Sequence, residues 1–167
     1  MVETMRQKGM INKIKYIGFF FAILIFIWGC GEKPFFDEAH DFAGRQWQDQ
    51  DTVRFSFDVT DTVQTYDMVF TLRTSTDYAY NNLWFYVCST APDNSTSKVA
   101  QRIPLAHPSG AWIGRVSGTI VESKLHFNSA KFPLTGPYLI EVILATQQPV
   151  INNVYDFGLR ITKNIAK

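Results

Sequence analysis

Residues 52–60 have the sequence Thr52-Val53-Arg54-Phe55-Ser56-Phe57-Asp58-Val59-Thr60, in which polar and apolar side chains alternate strictly. In an extended chain, every second side chain points to the same face. The apolar residues therefore form one face that can be buried, and the polar residues form a face in contact with water. This pattern predicts a half-buried strand of an antiparallel β-sheet.

Further apolar segments follow at short intervals along the chain. Alternating or continuous apolar sequence predicts strands in residues 68–73, 83–89, 99–105, 111–121, 137–145 and 154–162. Residues 122–136 are ambiguous, with Leu125 and Phe127 indicating a short edge strand at most. No convincing amphipathic helix follows residue 29. We therefore expect an all-β fold, a single antiparallel β-sandwich of seven or eight short strands, with jelly-roll topology as one form of it.

Three features of these strands lead to specific expectations. The short connection between residues 52–60 and 68–73 predicts that these two strands pair antiparallel. Residues 83–89 are apolar on both faces, so either both faces are covered or one face meets a partner. Gly114 and Gly118 within residues 111–121 indicate bulges or a close approach of another backbone.

The N-terminal sequence has the pattern of a secretory signal. Basic residues precede an uncharged apolar run from Tyr16 to Trp28, which is too short to span a bilayer comfortably as a helix. Gly29 and Cys30 follow directly, and this junction resembles a bacterial lipobox, with cleavage before Cys30 and lipids on its side chain. The alternative is an uncleaved anchor helix with an incidental cysteine. Either Met1 or Met10 can be the start.

These features divide the chain into three expected parts. Residues 1–29 are a signal peptide, residues 30–50 are a lipidated N-terminus and tether, and residues 51–167 are the β-sandwich domain. The aromatic residues of the tether are expected to dock partly on the domain. Multiple acyl chains on Cys30 would give stable membrane anchoring. Cys88 then has no intrachain partner, so it is expected to be a buried, inert thiol or to pair between molecules.

Charge and composition restrict the classes of function. The chain has 16 basic and 15 acidic residues, of which four and one lie in residues 1–29, leaving 12 and 14 and a net charge of −2. No basic stripe indicates nucleic-acid binding. His40, His107 and His126 lack the spacing of a metal site, and no nucleophile elbow or phosphate loop is present. We expect no metal, no cofactor and no catalytic residue.

Several short motifs, taken in order, resemble one family. They are Leu72-Arg73, Tyr78-Ala79-Tyr80-Asn81-Asn82-Leu83-Trp84, Gly110-Ala111-Trp112-Ile113-Gly114 and Gly158-Leu159-Arg160-Ile161. This set is similar to the gliding motility lipoprotein GldH family over nearly the whole sequence after Cys30. The resemblance implies a cell-envelope lipoprotein that is required for surface gliding and linked to a dedicated protein secretion system. It implies no enzymatic activity and no catalytic residues.

The residues that suggest an interaction surface are polar or aromatic and cluster around one segment. Aromatic rings with a polar edge are favoured at binding surfaces, although core packing is the commoner role of a Trp within an apolar strand. Asn81 and Asn82 also suit a turn before a strand. The candidate surface consists of Tyr78, Tyr80, Asn81, Asn82, Trp84 and Trp112. Tyr86 has the same aromatic character, and Arg73 and Arg160 are expected to pair with Asp58 or Asp156 across strands.

Two threonines have the sequence context of a covalent modification. Asp51-Thr52-Val53 and Asp61-Thr62-Val63 are similar to the Asp-Thr-aliphatic sites at which many gliding bacteria O-glycosylate exported proteins. A three-residue pattern is a weak signal, and turn or strand-edge propensity also explains both threonines. Thr52 and Thr62 are therefore candidate O-glycosylation sites.

Two hypotheses of function follow. The first is an outer-membrane lipoprotein, anchored through Cys30, that acts as a non-enzymatic interaction component of the gliding and secretion machinery, with other envelope proteins as partners. The alternative is a carbohydrate-binding surface lipoprotein that uses the aromatic residues as a platform for a glycan. An enzymatic function is supported only by carboxylate residues whose arrangement in space the sequence does not determine.

Overall fold

Eleven strands and one short 3-10 helix form the secondary structure of residues 33–164, which are the residues that the computed structural model describes. The expected signal peptide and Cys30 lie outside these residues. The strands are β1 (Phe36–Asp41), β2 (Gln46–Gln48), β3 (Val53–Val59), β4 (Thr65–Ser75), β5 (Asn82–Thr90), β6 (Thr96–Pro104), β7 (Arg115–Ser117), β8 (Ile120–Lys131), β9 (Gly136–Leu144), β10 (Val150–Asn152) and β11 (Val154–Lys163). The 3-10 helix spans Ala43–Arg45.

The strands form an antiparallel β-sandwich, as the sequence led us to expect, and its topology is that of a jelly roll. One sheet has the order β1-β11-β4-β8-β7, and the second has the order β3-β9-β5-β6. All pairs are antiparallel, and β2 and β10 form a separate two-stranded ribbon. Most connections between the long strands cross from one sheet to the other; among the described residues, the consecutive strands joined within a large sheet are β5 with β6 and the short β7 with β8. This arrangement is the double Greek key of a jelly roll.

The alternating segment at residues 52–60 folds as its pattern predicts. In β3, the side chains of Val53, Phe55, Phe57 and Val59 are buried, and those of the residues between them are exposed. Residues Phe57 and Tyr138 are paired across β3 and β9, with their rings stacked at 6.1 Å between centroids. The buried faces of the two large sheets meet in one hydrophobic core.

The expected pairing of residues 52–60 with residues 68–73 is wrong. β3 pairs with β9 in one sheet, whereas β4 pairs with β11 and β8 in the other. The connection is an arch between the two sheets, in which the Asp61 carboxylate accepts hydrogen bonds from the backbone N–H groups of Val63 and Gln64, at 3.0 and 3.2 Å. A short connection is compatible with a hairpin and with such an arch, so its length alone does not determine the pairing.

The expected strand at residues 111–121 is also wrong in its bounds. Trp112 forms only an isolated bridge with Ala106, and the long strand β8 begins at Ile120. β8 is an interior strand between β4 and β7 rather than a short edge strand. Gly118, with φ of +59°, turns the chain between β7 and β8, and this conformation is unfavourable for other residues. Gly118 thus lies in a turn, and Gly114 lies where another segment of backbone approaches closely. Neither glycine lies inside a strand.

The segment assigned to the tether contains two strands. β1 forms an edge of the first sheet by pairing with β11, and Phe35 lies against Tyr66 with ring centroids 5.2 Å apart. Trp47 in β2 is fully buried and stacks on Phe42 at 4.7 Å. Its indole N–H donates to the backbone carbonyl of Asp51 at 2.9 Å. Residues 34–50 therefore contribute to the core.

Candidate functional site

The segment between β4 and β5 carries three of the six predicted interaction residues, Tyr78, Tyr80 and Asn81, and the start of β5 carries Asn82 and Trp84. The backbone of the segment is held at both ends. The Tyr78 N–H donates to the carbonyl of Ser75 at 3.1 Å, and the Asn81 carbonyl accepts hydrogen bonds from Leu105 and Ala106, at 2.8 and 3.1 Å. Fixed contacts of this kind place the side chains of a loop in a defined arrangement.

Five of the six predicted residues line one open cavity of about 410 Å³, which we call the aromatic cavity. Ala79, Leu83, Thr146, Gln148 and Ile151 complete its lining, together with Tyr78, Tyr80, Asn81, Asn82 and Trp84. Trp112 is not among the lining residues. It is half-buried and packs against the hydrophobic core, which is the structural role usual for tryptophan.

The base of the aromatic cavity is formed by Tyr78, which is only 5% exposed. Its hydroxyl group is buried and has no hydrogen-bond partner among the residues that the structure describes. Burial raises the pKa of the Tyr78 phenol above its ordinary value, with a smaller contribution from Tyr80. The phenol is therefore neutral at physiological pH. A buried hydroxyl without a hydrogen-bond partner is costly, so this group lowers the stability of the fold.

The rim of the aromatic cavity exposes two large rings. Tyr80 is 45% exposed and Trp84 is 44% exposed, and they are the only exposed Phe, Tyr or Trp side chains among the described residues. The Asn82 side-chain N–H₂ donates to the Asn81 side-chain carbonyl at 2.6 Å. Ring faces beside amide groups can bind a ligand or peptide that has both apolar and hydrogen-bonding groups. No nucleophile paired with a base lines the cavity.

The outward face of β5 continues the aromatic surface beyond the cavity. β6 lies beside β5, with Lys98 opposite Cys88 and Arg102 opposite Trp84. The Lys98 Nζ is 4.1 Å from the ring centroid of Tyr86, and the Arg102 Cζ is 5.8 Å from that of Trp84. These are cation–π distances. Sequence reasoning missed both cations. Arg102 lies within the expected strand at residues 99–105, whereas Lys98 lies just before it and joins the same face only because β6 begins at Thr96.

One of the two predicted arginine pairs, Arg73 with Asp156, is present on the outer face of the other sheet, whereas Arg160 pairs with Asp37 and with neither predicted partner. The Arg73 Nε donates to the Asp156 carboxylate at 2.9 Å, and Arg160 donates to Asp37 at 2.6 Å. Asp58 pairs with neither arginine. Burial raises the pKa of Asp156 above its ordinary value, although the hydrogen bond from Arg73 acts in the opposite direction. These pairs link neighbouring strands and need no functional explanation.

The remaining predicted residues lie apart from the aromatic cavity. Thr62 is exposed in the arch between β3 and β4, and Thr52 is half-buried directly before β3. Cys88 is half-buried on the outward face of β5 and carries a free thiol. Within residues 33–164, no three His, Cys, Asp or Glu side chains are grouped so that they could hold a metal ion. In the same part of the chain, no helix has the length and apolar character needed to cross a membrane.

The fold and the aromatic cavity define a class of protein, namely a jelly-roll domain with an exposed aromatic surface at one end of the sandwich. The sequence model of the family described as "GldH lipoprotein" matches residues 34–161. The chain therefore belongs to the GldH lipoprotein family. The matched residues include both large sheets and the aromatic cavity.

Two curated proteins are similar to this chain over most of their length. The "Gliding motility lipoprotein GldH homolog" of Christiangramia forsetii is 27% identical over 154 residues, which cover 87% of this chain and 93% of that protein. The "Gliding motility lipoprotein GldH" of Flavobacterium johnsoniae is 27% identical over 157 residues, which cover 89% of this chain and 97% of that protein.

Similarity to a solved structure is much weaker. A structure of infectious bursal disease virus, Gx strain, has a TM-score of 0.34 and 8% sequence identity, and the match covers 80% of this chain and 35% of the viral chain. These values are too low to support an argument about fold or function.

Proposed function

We propose that this protein is a cell-envelope lipoprotein required for gliding motility, in which it acts as a non-enzymatic interaction component of the gliding and protein-secretion machinery. Membership of the GldH lipoprotein family and the names of the two curated relatives support a role in gliding. The lipobox-like junction at Cys30 supports anchoring by lipids, and we place the anchor in the outer membrane.

The single observation that carries the interaction role is the exposure of Tyr80 and Trp84 on a rigid support. Both rings are nearly half exposed at the rim of the aromatic cavity, and Tyr80 packs against the buried ring of Tyr78. Exposed aromatic side chains of this kind supply much of the binding energy at protein interfaces. The aromatic cavity and its rim are therefore the proposed surface for another envelope protein.

The proposed role is tested by deleting the gene and following single cells on glass by time-lapse microscopy. The wild-type gene and the Cys30→Ala variant are then restored separately. Loss of movement on deletion, with recovery for the wild type alone, supports both the gliding role and the lipid anchor. Normal gliding of the deletion strain contradicts the proposal.

A second candidate function is glycan binding, which is favoured by the composition of the cavity. Tyr80 and Trp84 offer ring faces for the C–H groups of a sugar, and Asn81, Asn82 and Gln148 offer amide groups for its hydroxyls. Isothermal titration against a panel of polysaccharides tests this function. Heat that is abolished by Tyr80→Ala, in a variant with an unchanged unfolding transition, supports glycan binding, whereas flat titrations of the wild type count against it.

A further inference from the structure

One edge of the sandwich is long, exposed and unpaired among the described residues. β6 (Thr96–Pro104) pairs with β5 on one side, and no strand of residues 33–164 pairs with its other side. All of its residues are exposed except Gln101 and Ile103. An edge strand of nine residues presents a row of backbone N–H and C=O groups that another extended chain can use.

The outward face of this edge is cationic. Lys98 and Arg102 point to the same side as Tyr86 and Trp84, and each lies over one of these rings. Neither cation has a carboxylate within 4.0 Å in the part of the chain that the structure describes, whereas Arg54, Arg73 and Arg160 all do. The rings hold the two charges in place and leave them without an anionic partner.

The inward face of the same edge carries two apolar side chains, Val99 and Ile103, with the half-buried Gln101 between them, and it is only partly covered. Val99 lies opposite Val87, whose side chain packs against the core, yet Val99 itself is 51% exposed. Ile103, four residues along the same face, is fully buried. The sandwich therefore covers the side chain of Ile103 but leaves about half of the Val99 side chain exposed.

We infer that β6 is a docking edge for an extended segment of another polypeptide in which acidic and apolar residues alternate. Added as a further strand, such a segment places its acidic side chains next to Lys98 and Arg102. Its apolar side chains then cover Val99. Backbone hydrogen bonds supply affinity in strand addition, and the alternating side chains supply specificity. The inference rests on the proposed interaction role and names the chemistry of the partner.

The charges on β6 disfavour the most direct alternative, which is pairing of two copies of this chain through β6. In an antiparallel pairing centred on Ala100, Lys98 of one copy lies opposite Arg102 of the other, because the two residues are equally distant from the centre. Like charges in directly opposed positions destabilise a sheet. Cations on an edge strand prevent self-association and at the same time attract an acidic strand.

The inference is tested with the full chain in detergent and a fluorescent nine-residue peptide in which glutamate and valine alternate. Binding is followed by fluorescence anisotropy. We expect saturable binding that weakens about tenfold or more when Lys98→Glu and Arg102→Glu are combined, since close charge pairs then become repulsive. The matched control combines Arg45→Glu and Lys163→Glu, two exposed cations beside or within β11 that have no ion pair among the described residues, and it should change affinity less than about twofold.

N-methylation of the peptide separates strand addition from simple charge attraction. In a strand, alternate N–H groups point to opposite neighbours, so one of two alternating sets of N-methyl groups should abolish binding and the other should not. The inference is overturned if the two sets of N-methyl groups have equal effects on binding. It is also overturned if the unmodified peptide does not bind, or if its binding is unchanged by the combined Lys98→Glu and Arg102→Glu substitutions. Self-association of the full chain in sedimentation experiments, if lost on charge reversal, also overturns it and assigns the edge to a second copy.

Failure of this inference is distinguishable from failure of the proposed function. The peptide experiment depends on β6 alone, and the gliding experiment depends on the deletion strain and the Cys30→Ala strain. Peptide binding as described above, combined with normal gliding of the deletion strain, refutes only the gliding role. Loss of gliding on deletion without peptide binding refutes only the docking edge.

Discussion

The ring of Tyr78 packs edge to face against the ring of Tyr80, with centroids 5.6 Å apart and ring planes inclined by 71°. The first ring is 5% exposed, and the second is 45% exposed. An aromatic pair in this geometry contributes favourable energy beyond the area that it buries. A core residue therefore holds an exposed one, so that the candidate surface is positioned by the core rather than by a free loop.

Removal of the Tyr78 hydroxyl tests whether this group contributes to the stability of the fold or to the binding of a partner. Tyr78→Phe removes a buried polar group that has no partner among the described residues, so we expect the free energy of unfolding to stay the same or rise by up to about 1 kcal/mol. Urea denaturation checks this expectation. If the hydroxyl contacts a partner, the same variant weakens partner binding despite its stability. Marked destabilisation would contradict the absence of a partner within the fold.

Phe57 tests whether the alternating face of β3 forms the core. Its ring is 6% exposed and lies within 5.3 Å of Phe132, centroid to centroid, in an edge-to-face contact. We expect Phe57→Ala to lower the free energy of unfolding by about 3–5 kcal/mol, because truncation of a buried aromatic residue leaves a cavity. Ser56→Ala, on the exposed face of the same strand, is the matched control and should have little effect. An unchanged denaturation midpoint for Phe57→Ala would place the core elsewhere.

Substitution of Gly114 tests whether the segment that precedes β7 lies close to the backbone of β8. A Cβ atom at this position would overlap the backbone carbonyl of Glu122 and lie 2.6 Å from the Ser123 Oγ. We expect Gly114→Ala to destabilise the protein by about 1–3 kcal/mol, as overpacking usually does. Thermal or urea unfolding measures this cost. Ala111→Gly, at an exposed site in the same segment, is a control, and wild-type stability of Gly114→Ala would contradict the close approach.

The pH dependence of stability tests the environment of Asp156. Burial raises its pKa above the ordinary 3.8 in the folded protein, so folding favours the protonated carboxyl group. Its contribution to stability is fully present at pH values below 3.8 and is lost as the pH rises through the folded-state pKa. As the pH rises through the folded-state pKa of Asp156, we expect the free energy of unfolding of the wild type to fall relative to that of Asp156→Asn. A relative gain in stability over the same range would show that the hydrogen bond from Arg73 dominates burial.

The sequence predicted the fold class and most strands, but not how the strands pair. Strict alternation at residues 52–60 determines which faces are buried, and local chemistry of this kind is visible without a structure. The partner of β3 is β9, far away in the sequence, and such long-range pairing leaves no local signal. The same limit explains why β8 was not recognised as an interior strand.

The candidate site could be predicted only where its residues are close in sequence. Tyr78, Tyr80, Asn81, Asn82 and Trp84 belong to one short segment and line one cavity. Thr146 and Gln148 join them from the segment after β9, and nothing in the sequence links the two segments. Trp112 is an aromatic residue like the others, so the sequence did not distinguish it from them. Its packing against the core depends on the tertiary structure and could not be predicted.

The central claim is that the rim of the aromatic cavity is the surface through which this lipoprotein acts in gliding. The most direct test is the speed of single cells in which the chromosomal gene carries Tyr80→Ala and Trp84→Ala together. The control strain carries Ile113→Ala and Val116→Ala, which truncate two other exposed apolar residues, 47% and 50% exposed. We predict that the first strain loses gliding at normal protein levels while the control strain glides. Wild-type speed of the first strain would contradict the claim.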